Sequence, residues 1–153
     1  MIGAGCDLHT EVERKTRFLM AGIVPGRTAG ESVGVRLAMF SPLPAGARVS
    51  VTHDNGAGFA RHTRLRDGLG MDTYFADPYS SRRRGGNENG NGMIRRHLPE
   101  RSEIRMGMAG ELREIVDEAD NRPKRVLDYR TPAEAFADEL LELQDQQGCC
   151  TSK

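Results

Sequence analysis

An α/β fold with a mixed sheet and flanking helices is the class this sequence predicts, on three observations. Two apolar runs bracket a polar turn near Lys15-Thr16, the pattern of a hairpin. Thr28 with Glu31 three residues on forms a capping box that opens an amphipathic stretch. The β-branched run Arg48 to His53 follows, and the pattern then returns to helix, strand and further helices.

At 153 residues the chain suits one domain around one core. It is 37% hydrophobic and 5% aromatic with no Trp, so it is thin in large core residues. No run approaches the roughly 20 apolar residues of a membrane span. No charged segment followed by an apolar one opens the chain, so the expected compartment is the cytoplasm and no membrane partner is expected. Cys6, Cys149 and Cys150 lack metal-ligand spacing with any histidine and read as free thiols. Cys150-Thr-Ser-Lys matches a prenylation box in length only.

Taken in order, Thr10 to Val24 reads as two strands, ended by Pro25-Gly26. A helix from Thr28 to about Phe40 puts Val33, Leu37 and Phe40 on one face, and Pro42 and Pro44 stop it. Arg48 to His53 alternates Val49 and Val51 with polar residues, and Asp54-Asn55-Gly56 turns it. Phe59 to Leu69 is a basic amphipathic helix closed by Gly70, and Met71 to Ala76 is a strand ended by Asp77-Pro78. Tyr79 to Gly86 is an arginine-rich loop. Asn87 to Leu98 reads as a helix with Met93, Ile94 and Leu98 on its apolar side. Gly90 and Gly92 each cost about 1 kcal/mol there relative to Ala, which points to a close approach of backbone or ligand. Ala109 to Asp120 is a helix with Leu112, Ile115, Val116 and Ala119 on one face. Thr131 caps a last helix with Pro132 at its first position and Ala135, Phe136, Leu140 and Leu143 as its apolar residues. The tail after Gln146 is expected to fray.

Two carboxylates stand out. Asp54 leaves a strand directly into an Asn-Gly turn, at the strand end where α/β sheets gather ligands. Glu88 sits in an Asn-Glu-Asn-Gly setting at the expected start of a helix. Taken singly, the first is an ordinary turn aspartate and the second complements a helix dipole. As a pair they suit Mg²⁺, which takes one or two protein carboxylates and fills its other positions with water and phosphate oxygens. Two such ions about 3.5–4 Å apart clamp the attacking and leaving oxygens of an in-line displacement, and a third carboxylate usually completes the set. The four histidines show no ligand spacing.

The formal net charge is zero but unevenly spread. Arg82 to Arg105 holds seven arginines against three acids, whereas Thr131 to Gln146 holds five acids and no Lys or Arg. A basic block beside the two carboxylates suits a polyanion on one face, although either block alone also reads as a solvated run. Arg82, Arg83 and Arg84 have the chemistry to track a phosphate backbone.

The stretches DNGAGFARHTRLRDGLGMDTYFADPYS, RGGNENGNGMIRRHLP and NRPKRVLDYRTPAEAF, with the hairpin VERKTRFLM, resemble the catalytic core of bacterial insertion-sequence transposases of the IS-thirty type. The resemblance runs from about residue 11 to residue 140. It implies a ribonuclease-H-like, retroviral-integrase-type fold and an Asp-Asp-Glu triad. Asp54 matches the second aspartate and Glu88 the glutamate, both as ligands of Mg²⁺ or Mn²⁺. The resemblance also implies that Asn55 shapes the turn, and that Asn55, Asn87, Asn89, Arg82, Arg83, Arg84, Arg95 and Arg96 contact DNA. The implied partners are the terminal inverted repeats, target DNA and, at full length, further copies of the protein.

Departures from that pattern shape the expectations. The strand bearing the first triad aspartate should precede the hairpin, and the segment there is short; Asp7 reads as part of a connecting turn and is not its substitute. Gly58 stands where a glutamate is usual, Ser81-Arg82-Arg83-Arg84 where Pro-Trp-Gln is usual, and Gly86 where threonine is usual. No helix-turn-helix region precedes the core. An incomplete core over residues 1–130, with residues 131–153 as a helix and tail of the same domain, is therefore expected. In that fold the first strand lies between the hairpin and the Asp54 strand, so the two edges either pair directly or stay open. The expected function is metal-dependent phosphoryl transfer on DNA, with little or no strand transfer by this chain alone. The alternative is a non-catalytic DNA- or partner-binding fragment that modulates an intact transposase.

Overall fold

One glutamate builds the turn of the first unit. In the computed structural model, which describes residues 6–26, 28–53, 63–75, 91–98 and 103–148, strand β1 (Asp7–Val12) pairs antiparallel with β2 (Leu19–Val24). Between them the Glu13 carboxylate accepts the Lys15 N–H at 3.0 Å and the Thr16 N–H and hydroxyl at 2.5 and 2.6 Å. Burial opposes the Glu13 charge, but these hydrogen bonds outweigh it and hold the carboxyl below its ordinary range. The predicted hairpin is present and starts earlier than expected. Asp7 is not in a turn: it is the first residue of β1, opposite Val24. Asp7, His9 and Glu11 occupy one face and Leu8, Thr10 and Val12 the other, so charges at every second position hide the strand from a search for apolar runs.

Helix α1 (Ala29–Phe40) begins with the predicted capping box, the Thr28 hydroxyl accepting the Glu31 N–H and the Glu31 carboxylate accepting the Thr28 N–H. It lies close on β2. A Cβ at Gly22 would stand 2.5 Å from Val35 Cγ1, so only glycine lets the helix seat there. Strand β3 (Ser50–His53) pairs parallel with β4 (Asp72–Phe75), and helix α2 (Thr63–Leu69) lies between them in sequence. Helix α3 is described over residues 91–97, α4 is Ala109–Asp120 and α5 is Pro132–Gly148, two residues beyond the predicted fray point.

The apolar residues sort to two cores. Leu19 and Ile23 of β2 pack with Ile94, Leu98, Leu112, Ile115 and Ala119. Phe40, Val51, Leu65 and Met71 form the second cluster, with Met20 and Leu37 against it. Successive residues Leu19 and Met20 thus serve opposite faces, as strand alternation requires. Helices cover both faces, the integrase-type arrangement expected from sequence.

The sheet differs from a continuous mixed sheet. Among the described residues it consists of an antiparallel pair and a parallel pair with no ladder joining them. The expected edges therefore stay unjoined there. Helix α5 is fixed to the hairpin turn by Phe18 stacked on Phe136, with centroids 4.3 Å apart, and by the Lys15–Glu139 ion pair. Its capping box is Thr131 with Glu134, and Pro132 is buried. The acids of this helix are thus partly spent on intramolecular pairs, Arg130–Asp138 included.

Candidate metal centre and nucleic-acid face

Asp54, Asn55, Arg82, Arg83, Arg84, Asn87, Glu88 and Asn89 lie outside the described residues. The frame on either side of them is described. β3 is anchored by Val51, buried against Phe40, Leu65 and Met71. It runs parallel to β4 with His53 opposite Phe75, so both strands end at one edge of the pair. Position 54 follows immediately in the chain.

On the other side, the described part of α3 opens at Asn91, three positions after Glu88 in the chain. Ile94 and Leu98 bury its apolar face, while Arg95 and Arg96, both candidate DNA contacts, are exposed. The Thr10 hydroxyl donates to Asn91 Oδ1 at 2.5 Å, tying β1 to α3 across 81 positions. No sequence signal links two residues so far apart, and this contact was not anticipated.

The reading of Gly92 needs correction as far as protein neighbours are concerned. A Cβ built there meets nothing within 4 Å, so no described backbone requires a glycine. Gly92→Ala is expected to raise stability by about 1 kcal/mol through helix propensity, measured as an upward shift of the thermal midpoint. A lowered midpoint would show that the open space is used.

Behind β1 lies a buried polar cluster that sequence reasoning passed over. The Arg36 side chain is 1% exposed, with Nε 3.3 Å from Glu11 Oε1. The same Nε is 2.7 Å from His9 Nε2, which itself stands 2.8 Å from Glu11 Oε1. Alternation of polar residues along Asp7, His9 and Glu11, with an arginine set among the apolar residues of α1 after Ser32, was the signal available. Among the described residues no group of three or more His, Cys, Asp or Glu is placed to hold a metal ion. No helix among them is long and apolar enough to cross a membrane.

Comparison with known proteins adds to this frame. No family model matches the chain. It is 32% identical over 135 residues to the transposase of insertion sequence element IS1086 from Cupriavidus metallidurans, covering 88% of this chain and 40% of that protein. It is 36% identical over 130 residues to transposase InsI of element IS30A from Escherichia coli, covering 83% of this chain and 33% of that protein. It is 38% identical over 87 residues to the transposase of IS4351 from Bacteroides fragilis. The chain thus spans at most 40% of the length of these curated relatives. Among solved structures, the catalytic core domain of BIV integrase superposes with a TM-score of 0.64 at 18% identity, covering 93% of this chain and 90% of that one. A simian T-cell lymphotropic virus intasome in complex with a PP2A regulatory subunit gives 0.67 at 17% identity, covering 85% and 48%. The fold is that of the integrase catalytic core.

Proposed function

We propose, for a chain that is a homologue of insertion-sequence transposases over most of its length, that it is part of a DNA-transposing enzyme acting by metal-dependent phosphoryl transfer. The observation that carries this reading is the transposase similarity across 88% of the chain, joined to the matching motifs around Asp54 and Glu88. Two carboxylates set among amide and glycine residues are a hard-oxygen donor set, which suits Mg²⁺ or Mn²⁺. Asp54 and Glu88 would hold the ion, which when bound supplies Lewis-acid activation of water and then of a DNA 3′-hydroxyl.

The remaining roles fall to the chain's own residues. Asn55 and Gly56 turn the backbone so that Asp54 is offered at the strand end. Arg82, Arg83, Arg84, Arg95 and Arg96, with Asn87 and Asn89, bind phosphate oxygens and position the strand. The substrates on this reading are terminal inverted repeats and target DNA, handled in the bacterial cytoplasm by an oligomer of the full-length protein.

The test is Mn²⁺ binding by the purified chain, followed by water proton relaxation. Asp54→Asn and Glu88→Gln are each expected to weaken binding by about tenfold or more, the cost of losing one of two carboxylate ligands. A chain that binds no Mn²⁺ at millimolar concentration, or variants that bind as well as the parent, would refute the reading. The second reading, a non-catalytic DNA-binding fragment, is favoured by the seven arginines of the basic block. It requires salt-dependent duplex binding that survives Glu88→Gln and needs no metal.

A further inference from the structure

The outer edge of β2 forms the floor of an open groove of about 320 Å³. Residues 18–23 line the floor, Met39 of α1 stands on one side, and Leu112, Arg113 and Val116 of α4 stand on the other. The ladder fixes which backbone groups face it. The Glu13 N–H donates to the Phe18 carbonyl at 2.8 Å, so these residues form a hydrogen-bonded pair. Continuing the register through Glu11↔Met20, His9↔Gly22 and Asp7↔Val24 turns the groups of Met20, Gly22 and Val24 toward β1. Those of Leu19, Ala21 and Ile23 therefore point outward. The Leu19 amide agrees with this parity: it donates away from the hairpin, to Asp120 Oδ1 at 2.9 Å. Among the described residues no hydrogen bond engages the outward groups of Ala21 and Ile23. Strand β2, LMAGIV, carries no charge and no proline, the usual guards of an open edge.

We propose that this edge is a strand-addition site for an extended segment of a partner polypeptide. The partner's chemistry follows from the walls. Its side chains are apolar on both faces, toward Met39 and toward Leu112 and Val116, and one carboxylate reaches Arg113. That arginine is exposed and makes no hydrogen bond or ion pair among the described residues. Backbone pairing supplies affinity and the flanking pockets supply selectivity.

A second copy pairing edge to edge does not fit as well. Helices α1 and α4 both pack on β2 itself. Strands pair about 4.8 Å apart, whereas packed helices need about 8–10 Å between axes. The helices of a second copy would collide with these, and a lone strand brings none.

The test uses the full chain, labelled with ¹⁵N, and a blocked hexapeptide of valine and alanine carrying one glutamate. In the free protein the amides of Ala21 and Ile23 should exchange readily while those of Met20 and Gly22 are protected. The peptide should give saturable shifts centred on Ala21 and Ile23 and slow their exchange by about tenfold or more. Ala21→Pro removes an outward donor that the β1–β2 ladder does not use, and should abolish the peptide effect with the far-ultraviolet circular dichroism unchanged. Arg113→Gln should weaken binding several-fold, and decides the matter with the parent's amide map if the proline variant does not fold. Absence of shifts at Ala21 and Ile23 at millimolar peptide overturns the proposal, as does equal binding by either variant. Protection of those amides on raising protein concentration without peptide overturns it in favour of a second copy.

Discussion

Glu11→Gln is expected to lower the stability of the fold by about 3 kcal/mol, near the cost of removing one partner from a buried ion pair. Among the described residues Arg36 is the largest side chain with under 2% exposure, and a guanidinium does not shed its proton to escape burial. Its Nε faces Glu11 Oε1 at 3.3 Å and His9 Nε2 at 2.7 Å. Neutral histidine can accept from Arg36 only with its proton on Nδ1, and cannot then donate from Nε2 to Glu11. The carboxylate is therefore the only formal negative charge in this triad. Glutamine keeps the shape and one acceptor oxygen but removes the charge. Arg36→Met should also destabilise, by leaving the Glu11 carboxylate without the guanidinium. The double variant should lose less than the sum of the two, because each single change already removes the interaction between the two side chains. Urea unfolding of the four proteins at pH 7 measures this directly. Additive losses would mean that the pair is not coupled.

Asp120→Asn is expected to act in the opposite direction and stabilise the protein at neutral pH by about 2 kcal/mol. Burial pushes the Asp120 carboxyl up to about 6, against the lowering effects of the Leu19 N–H and the Lys124 charge. An acid whose folded value is raised contributes stability that is complete below its unfolded value near 3.8 and is lost as pH rises through about 6. Unfolding free energy should therefore fall between about pH 4 and pH 6 through this group, and the decline should flatten in the asparagine variant. Asparagine retains an oxygen for the Leu19 amide, now 2.9 Å from Asp120 Oδ1. It also removes a negative charge from the carboxyl end of α4, where the helix dipole disfavours it. Denaturant melts of both proteins at pH 4.5 and pH 7.5 decide the matter. An asparagine variant less stable than the parent at pH 7.5 would show that the ionised carboxylate is needed there.

Both effects lie in the frame rather than at the carboxylates proposed to hold the metal, and the sequence displayed the two unequally. Asp54 and Glu88 are nominated by local sequence chemistry, an Asn-Gly pair after a β-branched run and an Asn-Glu-Asn-Gly setting, and by motifs that resemble a known family. The helices were legible for the same reason: caps at Thr28 and Thr131 and apolar spacing such as Val33, Leu37 and Phe40 are written within a few residues. The true start of β1 was not, because Asp7, His9 and Glu11 look solvent-facing until Arg36 is brought opposite them. At Gly92 local cost suggested a close approach of backbone or ligand, and among the described residues no protein atom makes one.

The sequence by itself determined the element order, the integrase-type fold class and the pair of candidate metal ligands, all of which depend on short-range periodicity, turn chemistry and motif order. Tertiary structure alone decided that the strands stand as two unjoined pairs among the described residues, that Thr10 holds Asn91, that Arg36 is buried against His9 and Glu11, and that β2 keeps an open edge between two helices. Those facts depend on contacts between residues far apart in the chain, where burial, charge pairing and hydrogen-bond direction are set by which elements meet. No residue's nearest neighbours in sequence carry that information.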